Sequence, residues 1–154
     1  MAISNTLKRY LDQSGIAYEA IQHHLAFSSQ KIAEAAHVSG ERLAKGVLLR
    51  DGIGYLLAVL PSPLSVDVDE LSEQLGRNLD LVEEGEIHQL FPDCDPGAVP
   101  PIGDAYEIEV ALDTELCDEP DIYFEAGDHV GLIRVGGTDF QTLLKNAQHL
   151  RFAH

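Results

Sequence analysis

About one third of this sequence contains no basic residue. Between Asn78 and Ile133 there is neither lysine nor arginine, whereas the same stretch holds 16 of the 26 aspartates and glutamates. The rest of the chain has 10 acidic and 10 basic residues, so the formal net charge of −16 arises in that stretch. An acidic face of this kind favours solubility and argues against broad electrostatic binding of nucleic acid, including DNA.

Cysteines and long hydrophobic runs are also scarce. Cys94 and Cys117 are the only cysteines, and they do not show the spacing of a zinc site, so we expect two free thiols. No run of 18 apolar residues exists, which excludes a typical membrane-spanning helix. The N-terminus lacks the pattern of a secretory signal. We therefore expect a cytoplasmic protein without a membrane partner.

Common catalytic motifs are missing as well. The sequence has no HExxH, GxSxG or GxGxxG pattern. His23 and His24 are adjacent, so in an extended segment they would point to opposite faces and would not share one metal ion. These absences predict a site without a metal ion or an organic cofactor.

The length of 154 residues fits one domain, which we place at residues 1–154. Hydrophobic periodicity and turn residues predict irregularly interleaved helices and strands. We expect helices at residues 4–15, from Ser28 or Ser29 to 37, 67–75, 83–90 and 138–147, and strands at residues 17–22, 47–50, 55–60, 79–82, 106–112, 122–125 and 130–135.

The fold class follows from how these strands are connected. Asp51-Gly52 between two apolar strands is a strong hairpin signal, and tight turns require antiparallel neighbours. We therefore predict an α+β fold with a mixed, mainly antiparallel sheet that curls toward a barrel, with helices packed on it.

Three segments could carry chemistry. Lys45 directly precedes an apolar strand, which would hold its ammonium at a rim, although an ordinary surface lysine fits the same position. Residues 97–103 place a Pro-Pro pair between two glycines, as in a loop that approaches a ligand or one that only links two elements. His129 follows Gly127 in a turn between strands, where it could bind a ligand oxygen or only satisfy backbone groups.

Together these segments resemble the family of YbaK and prolyl-tRNA-synthetase-associated domains. The resemblance covers nearly the whole chain: the N-terminal helix, the strand end with His24, Ser28-Ser29-Gln30 and the segments at residues 44–49, 97–103 and 126–134. Each segment alone is weakly specific, but their order and spacing agree with the family pattern. The resemblance implies a metal-free deacylase that removes wrong amino acids from the 3′ end of tRNA.

The same resemblance implies roles for individual residues. Lys45 matches the essential lysine of the family, and Gly97 matches the glycine of its substrate loop, which here continues as Ala98, Val99 and Pro100. Gly127 and His129 match its Gly-x-His motif. Many relatives have a small polar residue after the lysine, where this chain has Gly46, so the identity of the substrate is left open.

The expected partner is the acceptor end of a mischarged tRNA, most simply tRNA-Pro carrying a small wrong amino acid. Only a weak, local contact fits the acidic charge, with the terminal phosphates near Arg42 and Lys45. An aminoacyl-tRNA synthetase could deliver the substrate. Two alternatives remain: a noncatalytic module that binds tRNA ends or aminoacyl groups for regulation, and a hydrolase of small aminoacyl esters that never meets tRNA.

Overall fold

A computed structural model describes residues 3–22 and 38–154. The predicted helix ending at residue 37, and His23, His24 and Ser28-Ser29-Gln30, lie outside these residues. The described helices are α1 (Asn5–Ser14), α2 (Val68–Leu75), α3 (Glu84–Leu90) and α4 (Gly137–Leu143). The strands are β1 (Glu19–Gln22), β2 (Ala44–Arg50), β3 (Tyr55–Pro61), β4 (Asp80–Leu81), β5 (Glu109–Asp113), β6 (Asp121–Glu125), β7 (Gly131–Gly136) and β8 (Gln148–Leu150).

Side-chain caps and glycines fix the ends of the first two helices. The Ser4 hydroxyl accepts a hydrogen bond from the Leu7 amide at the start of α1, and Gly15 ends the helix with φ +71°. Asp67 accepts from the Glu70 amide at the start of α2, and Gly76 follows with φ +64°. These four boundary residues are those that the sequence predicts.

The strands form two sheets. One has the order β1-β7-β6 and is antiparallel throughout; the other has the order β4-β2-β3-β5-β8. In the second sheet β2 pairs antiparallel with β3 and β4, whereas β5 pairs parallel with β3 and with β8. The prediction of a mixed, mainly antiparallel sheet with packed helices is therefore correct for the described residues.

The expected curl toward a barrel is wrong. Each described sheet keeps two edge strands, and an isolated parallel bridge between Leu43 and Tyr123 links one sheet to the other. Closure into a barrel would require a continuous ladder around all strands. The hairpin signal showed only that β2 and β3 are neighbours and did not reveal the parallel pairs, whose partners lie far apart in sequence.

The last helix and strand also differ from the prediction. α4 ends at Leu143 rather than at residue 147, and residues 148–150 add β8 to the edge of the larger sheet. The Asp113 carboxylate then accepts hydrogen bonds from the amides of Phe152 and Ala153 at 3.0 and 2.9 Å, which fixes the following segment. Among the described helices, none is long and apolar enough to cross a membrane.

The larger sheet is buried on both faces. Leu57 and Val59 of β3 pack into a core with α1, α4 and the smaller sheet. Leu56 and Leu60, which alternate with them, pack into a second core with α2 and the C-terminal Phe152. β2 is therefore held rigidly where the two sheets meet.

Candidate active site

A small cleft opens beside the bridge between the two sheets. Its volume is about 160 Å³. β2, α3, the loop after α3 and the end of β6 each supply part of its wall. The described residues that line it are Leu43, Ala44, Lys45, Gly46, Leu48, Leu57, Glu84, Ile87, Gly97, Val99 and Glu125.

Lys45 supplies the positive charge of the cleft. It is the second residue of β2 and pairs with Leu60 of β3, so its backbone position is set by a regular ladder. The side chain is half-buried, and this burial lowers the pKa of its ammonium. No carboxylate of the described residues lies within 4.0 Å of its nitrogen, so the charge is available for a ligand.

Gly46 lines the cleft together with Leu57 of the neighbouring strand. A Cβ atom at residue 46 would lie 2.9 Å from Leu57 Cδ1 and 3.3 Å from its Cγ. A side chain here would therefore have to displace the end of Leu57. In this chain the space next to the lysine is filled by a leucine methyl group rather than by a polar group.

The loop after α3 brings backbone close to the cleft. Gly97 has φ +80°, a conformation that side chains with a Cβ atom rarely adopt, and a Cβ atom there would lie 3.4 Å from His129 Cε1. Val99 also lines the cleft, whereas Ala98 and Pro100 are buried beneath the loop and do not. Of the four predicted loop residues, the structure thus brings two to the cleft.

His129 and Gly127 hold this loop from behind. The His129 ring donates from Nε2 to the Pro96 carbonyl oxygen at 2.6 Å, and the Gly127 carbonyl accepts from the Asp95 amide at 2.8 Å. Gly127 has φ +112°, and a Cβ atom there would lie 3.0 Å from Ser4 Cβ. Neither residue is in the described lining of the cleft, and the structure shows them supporting the loop. Their contact with a ligand stays a prediction.

A polar network ties the start of α1 to the same loop. The Tyr106 hydroxyl donates to Asp93 at 2.9 Å and lies 2.8 Å from the Ser4 hydroxyl and 3.2 Å from Cys94 Sγ. Burial raises the pKa of the Cys94 thiol to about 11, so it stays protonated at neutral pH. Both cysteines are free thiols, as expected, and neither lines the cleft, which leaves no thiol nucleophile there.

Glu125 is a lining residue that the sequence did not single out as a site residue. It ends β6 and is only 8% exposed, and its Oε1 atom has no hydrogen-bond partner among the described residues. Burial, and to a lesser extent the charge of Asp128, raise the pKa of the Glu125 carboxyl to about 8. The available signal was its place next to the Gly-x-His turn, but strand alternation alone does not reveal which face meets the cleft.

The aminoacyl-tRNA editing domain family has a sequence model that matches residues 23–143, most of the chain. The chain belongs to this family. The fold agrees, because a candidate trans-editing enzyme for prolyl tRNA synthetase superposes with a TM-score of 0.83 at 18% identity, covering 98% of this chain and 96% of that chain.

Two further solved structures have the same fold. A scaffold protein for the computational grafting of linear epitopes has a TM-score of 0.85 at 18% identity, with 98% of this chain and 96% of that chain covered. A hypothetical protein also has a TM-score of 0.85, at 16% identity, with 97% and 100% covered. No curated protein sequence is significantly similar to this editing domain.

The basic residues near Lys45 are already partnered in this editing domain. Arg42 lies outside the cleft lining and forms an ion pair with Glu119 at 3.3 Å. Arg50 pairs with Glu86 at 3.2 Å. Acidic residues of the lysine-free stretch thus reach across to the basic edge and reduce the positive charge that a phosphate would meet.

One group of described residues has donor atoms that could hold a metal ion, and it lies outside the cleft lining. Within the described parts of the chain, Asp67, Glu70 and His154 place one ligand atom each within 4.8 Å of one another. The His154 ring is 2.7 Å from the Glu70 carboxylate, which raises the pKa of His154. None of the three lines the cleft.

Proposed function

We propose that this editing domain hydrolyses the ester bond of mischarged aminoacyl-tRNA, and that its substrate is tRNA-Pro carrying a small wrong amino acid. The observation that carries the proposal is the half-buried ammonium of Lys45, which has no ion-pair partner among the described residues, at a cleft with largely apolar walls. The likeness to a candidate trans-editing enzyme for prolyl tRNA synthetase supports the choice of tRNA.

Lys45 acts in this proposal as an electrostatic anchor. Ester hydrolysis passes through a tetrahedral intermediate with a negative oxygen, and a positive group in partly dry surroundings stabilises that charge strongly. The amides of Gly97 and Val99 have no acceptor among the described residues, so they are available as further donors. Water is the attacking group, since the described cleft lining contains no serine, cysteine or histidine.

The size of the cleft restricts the amino acid. A volume of about 160 Å³ is well below the roughly 300–1,000 Å³ of sites for drug-sized ligands. Ala44, Leu48, Leu57, Ile87 and Val99 give it apolar walls. This combination favours a small amino acid, and the close approach of Leu57 to Gly46 limits expansion on that side.

Contact with the rest of the tRNA is weak and local in this proposal. Arg42 and Arg50 are engaged by Glu119 and Glu86, so few phosphates can be bound without breaking an ion pair. The acceptor end alone enters, and a synthetase supplies the affinity that the acidic surface lacks. The protein then works in the cytoplasm as a single domain.

The test is a deacylation assay with tRNA-Pro charged in turn with alanine, cysteine, serine, threonine and proline. We expect hydrolysis of at least one small wrong amino acid well above the spontaneous rate, with prolyl-tRNA-Pro spared. Short aminoacyl esters form the matched control, because equal turnover of these would indicate a hydrolase that does not need tRNA. Binding of charged tRNA without any turnover would instead support a noncatalytic module and reject the proposal.

A further inference from the structure

Glu125 lines the cleft as a buried residue. The side chain is 8% exposed, and Oε1 has no hydrogen bond to any described residue. A buried polar atom without a hydrogen bond destabilises a fold by about 1–3 kcal/mol, and an unpaired charge by more. An apolar residue at this buried position would stabilise the fold more, so the carboxyl indicates a role in binding a ligand.

The residues around Glu125 indicate which kind of ligand the cleft would bind. Lys45 on β2 and Glu84 on α3 line the same cleft, and Asp128 lies in the turn that follows β6. The Lys45 ammonium is more than 4.0 Å from every carboxylate of the described chain, Glu125 included. The cleft lining thus includes a donor, Lys45, and a carboxyl whose Oε1 atom has no hydrogen-bond partner among the described residues.

An aminoacyl ester carries the complementary pair of groups. Its carbonyl oxygen accepts hydrogen bonds and becomes negative during hydrolysis, which suits Lys45. Its α-amino group, two bonds from the carbonyl carbon, is a donor that every amino acid has whatever its side chain.

We propose that Glu125 binds the α-amino group of the aminoacyl ester and thereby restricts the editing domain to substrates with a free amine. This inference rests on the proposed function. Glu125 is a specificity residue here, since it contacts the substrate away from the reacting ester.

The proton balance of this contact is simple. Burial keeps the free carboxyl protonated at neutral pH, with its pKa near 8. An amino-terminal α-ammonium has a pKa of about 7.7–8.0. When the ammonium binds, one proton leaves for solvent, and the carboxyl and the amine then hold one proton between them in a neutral pair.

The experiment compares esters that differ only at the α position. Alanyl-tRNA-Pro, its N-acetyl form and lactyl-tRNA-Pro, in which a hydroxyl replaces the amine, are hydrolysed by the wild type, by Glu125→Gln and by a control, Glu73→Gln, on an exposed surface of α2. Each kcat/KM is divided by the spontaneous rate, because the amine itself activates the ester.

We expect the wild type and Glu73→Gln to prefer the alanyl ester over both analogues by about 10- to 100-fold, the effect of one charged hydrogen bond. Glu125→Gln should lose most of this preference by slowing on the alanyl ester while its rate on the lactyl ester changes less than about threefold. Equal use of the alanyl and lactyl esters by the wild type, or a preference retained in Glu125→Gln, would overturn the inference while leaving the proposed function intact.

A binding measurement keeps the inference testable if hydrolysis is absent, the result that rejects the proposed function. Alanyl and lactyl groups are joined by a stable amide to 3′-amino-3′-deoxyadenosine, and their affinities are measured by calorimetry. Tighter binding of the alanyl compound that depends on Glu125 supports amine recognition. Equal affinities, or an unchanged difference in a folded Glu125→Gln variant, contradict it.

Discussion

Lys45 lies within a regular strand, whereas Gly97, which also lines the cleft, lies in a loop without a repeating hydrogen-bond ladder. The strand side owes its position to seven register pairs between β2 and β3. The loop side is held by individual contacts, among them the hydrogen bonds from His129 to Pro96 and from Asp95 to Gly127. We infer that the strand side tolerates loss of a side chain, and that the loop side depends on its backbone geometry.

The largest expected effect tests the strand side. Lys45→Ala should reduce turnover of the mischarged tRNA by about 10²–10³-fold, the usual effect of removing one group that stabilises the oxyanion. The melting temperature should change little, because no ion pair is lost and the β2–β3 ladder remains. The matched control is Lys145→Ala, which removes an exposed lysine outside the cleft lining. Normal turnover by a folded Lys45→Ala protein would exclude the proposed mechanism.

A smaller effect on activity, joined to a loss of stability, is expected on the loop side. Gly97→Ala forces a Cβ atom into a backbone with φ +80°, 3.4 Å from the His129 ring. We expect about tenfold lower kcat/KM and unfolding that is easier by about 1–2 kcal/mol, the strain of a left-handed conformation. Gly52→Ala, in an exposed turn with open space around it, is the control. If Gly97→Ala matched Gly52→Ala in both measurements, the loop would not depend on its backbone as we infer.

Substitutions of His129 distinguish a residue that supports the loop from one that contacts the substrate. His129→Ala removes a buried ring and its hydrogen bond to Pro96, so we expect lower stability by about 1–3 kcal/mol and a threefold to tenfold fall in kcat/KM. His129→Gln, which can still donate to the carbonyl, should recover part of both losses. The exposed His149→Ala variant serves as the control. A fall in activity as large as that of Lys45→Ala, with unchanged stability, would instead place His129 at the substrate.

The Glu125 carboxyl is expected to make the free energy of unfolding depend on pH. Its carboxyl has a pKa of about 8 in the fold against an ordinary value of 4.5, so the native state holds more protons than the unfolded state between these pH values. This contribution to stability is complete below about pH 4.5 and is lost as pH rises through 8, by at most about 1.4 kcal/mol per unit.

Glu125→Gln should therefore become more stable relative to the wild type as pH rises from about 5 to 8, in denaturant unfolding measured at several pH values. Asp128 on the following turn reinforces the effect, and Lys45 and Glu84 are the other charged residues of the cleft lining. A pH-independent difference between the two proteins would show that the carboxyl is ionised in the fold.

The smallest expected effect concerns the removal of metal ions. Deacylation should change by less than about twofold after treatment with a strong chelator, because the described cleft lining offers two carboxylates, without a histidine or cysteine to complete a zinc site. Loss of activity on chelation and its recovery on adding zinc would contradict the metal-free mechanism. The Asp67, Glu70 and His154 cluster outside the cleft would then need to be tested by substitution.

The sequence by itself determined the local features of this editing domain. Ser4 and Gly15 bound α1, Asp67 and Gly76 bound α2, and two apolar runs predict the β2–β3 pair, because capping and strand alternation depend on residues close in the chain. The family was also recognisable from the order of short segments, and it pointed to Lys45 and to the loop at Gly97, both of which line the cleft.

Only the tertiary structure determined which residues distant in sequence come together. The parallel pairing of β5 with β3 and β8, the two separate sheets and the engagement of Arg42 by Glu119 all join residues that are distant in sequence. His129 has the same place in the sequence whether it faces a substrate or the Pro96 carbonyl, and Glu125 reads as one more acid in an acidic stretch. Burial gives Glu125 its altered pKa, and burial depends on contacts that no local pattern of residues contains.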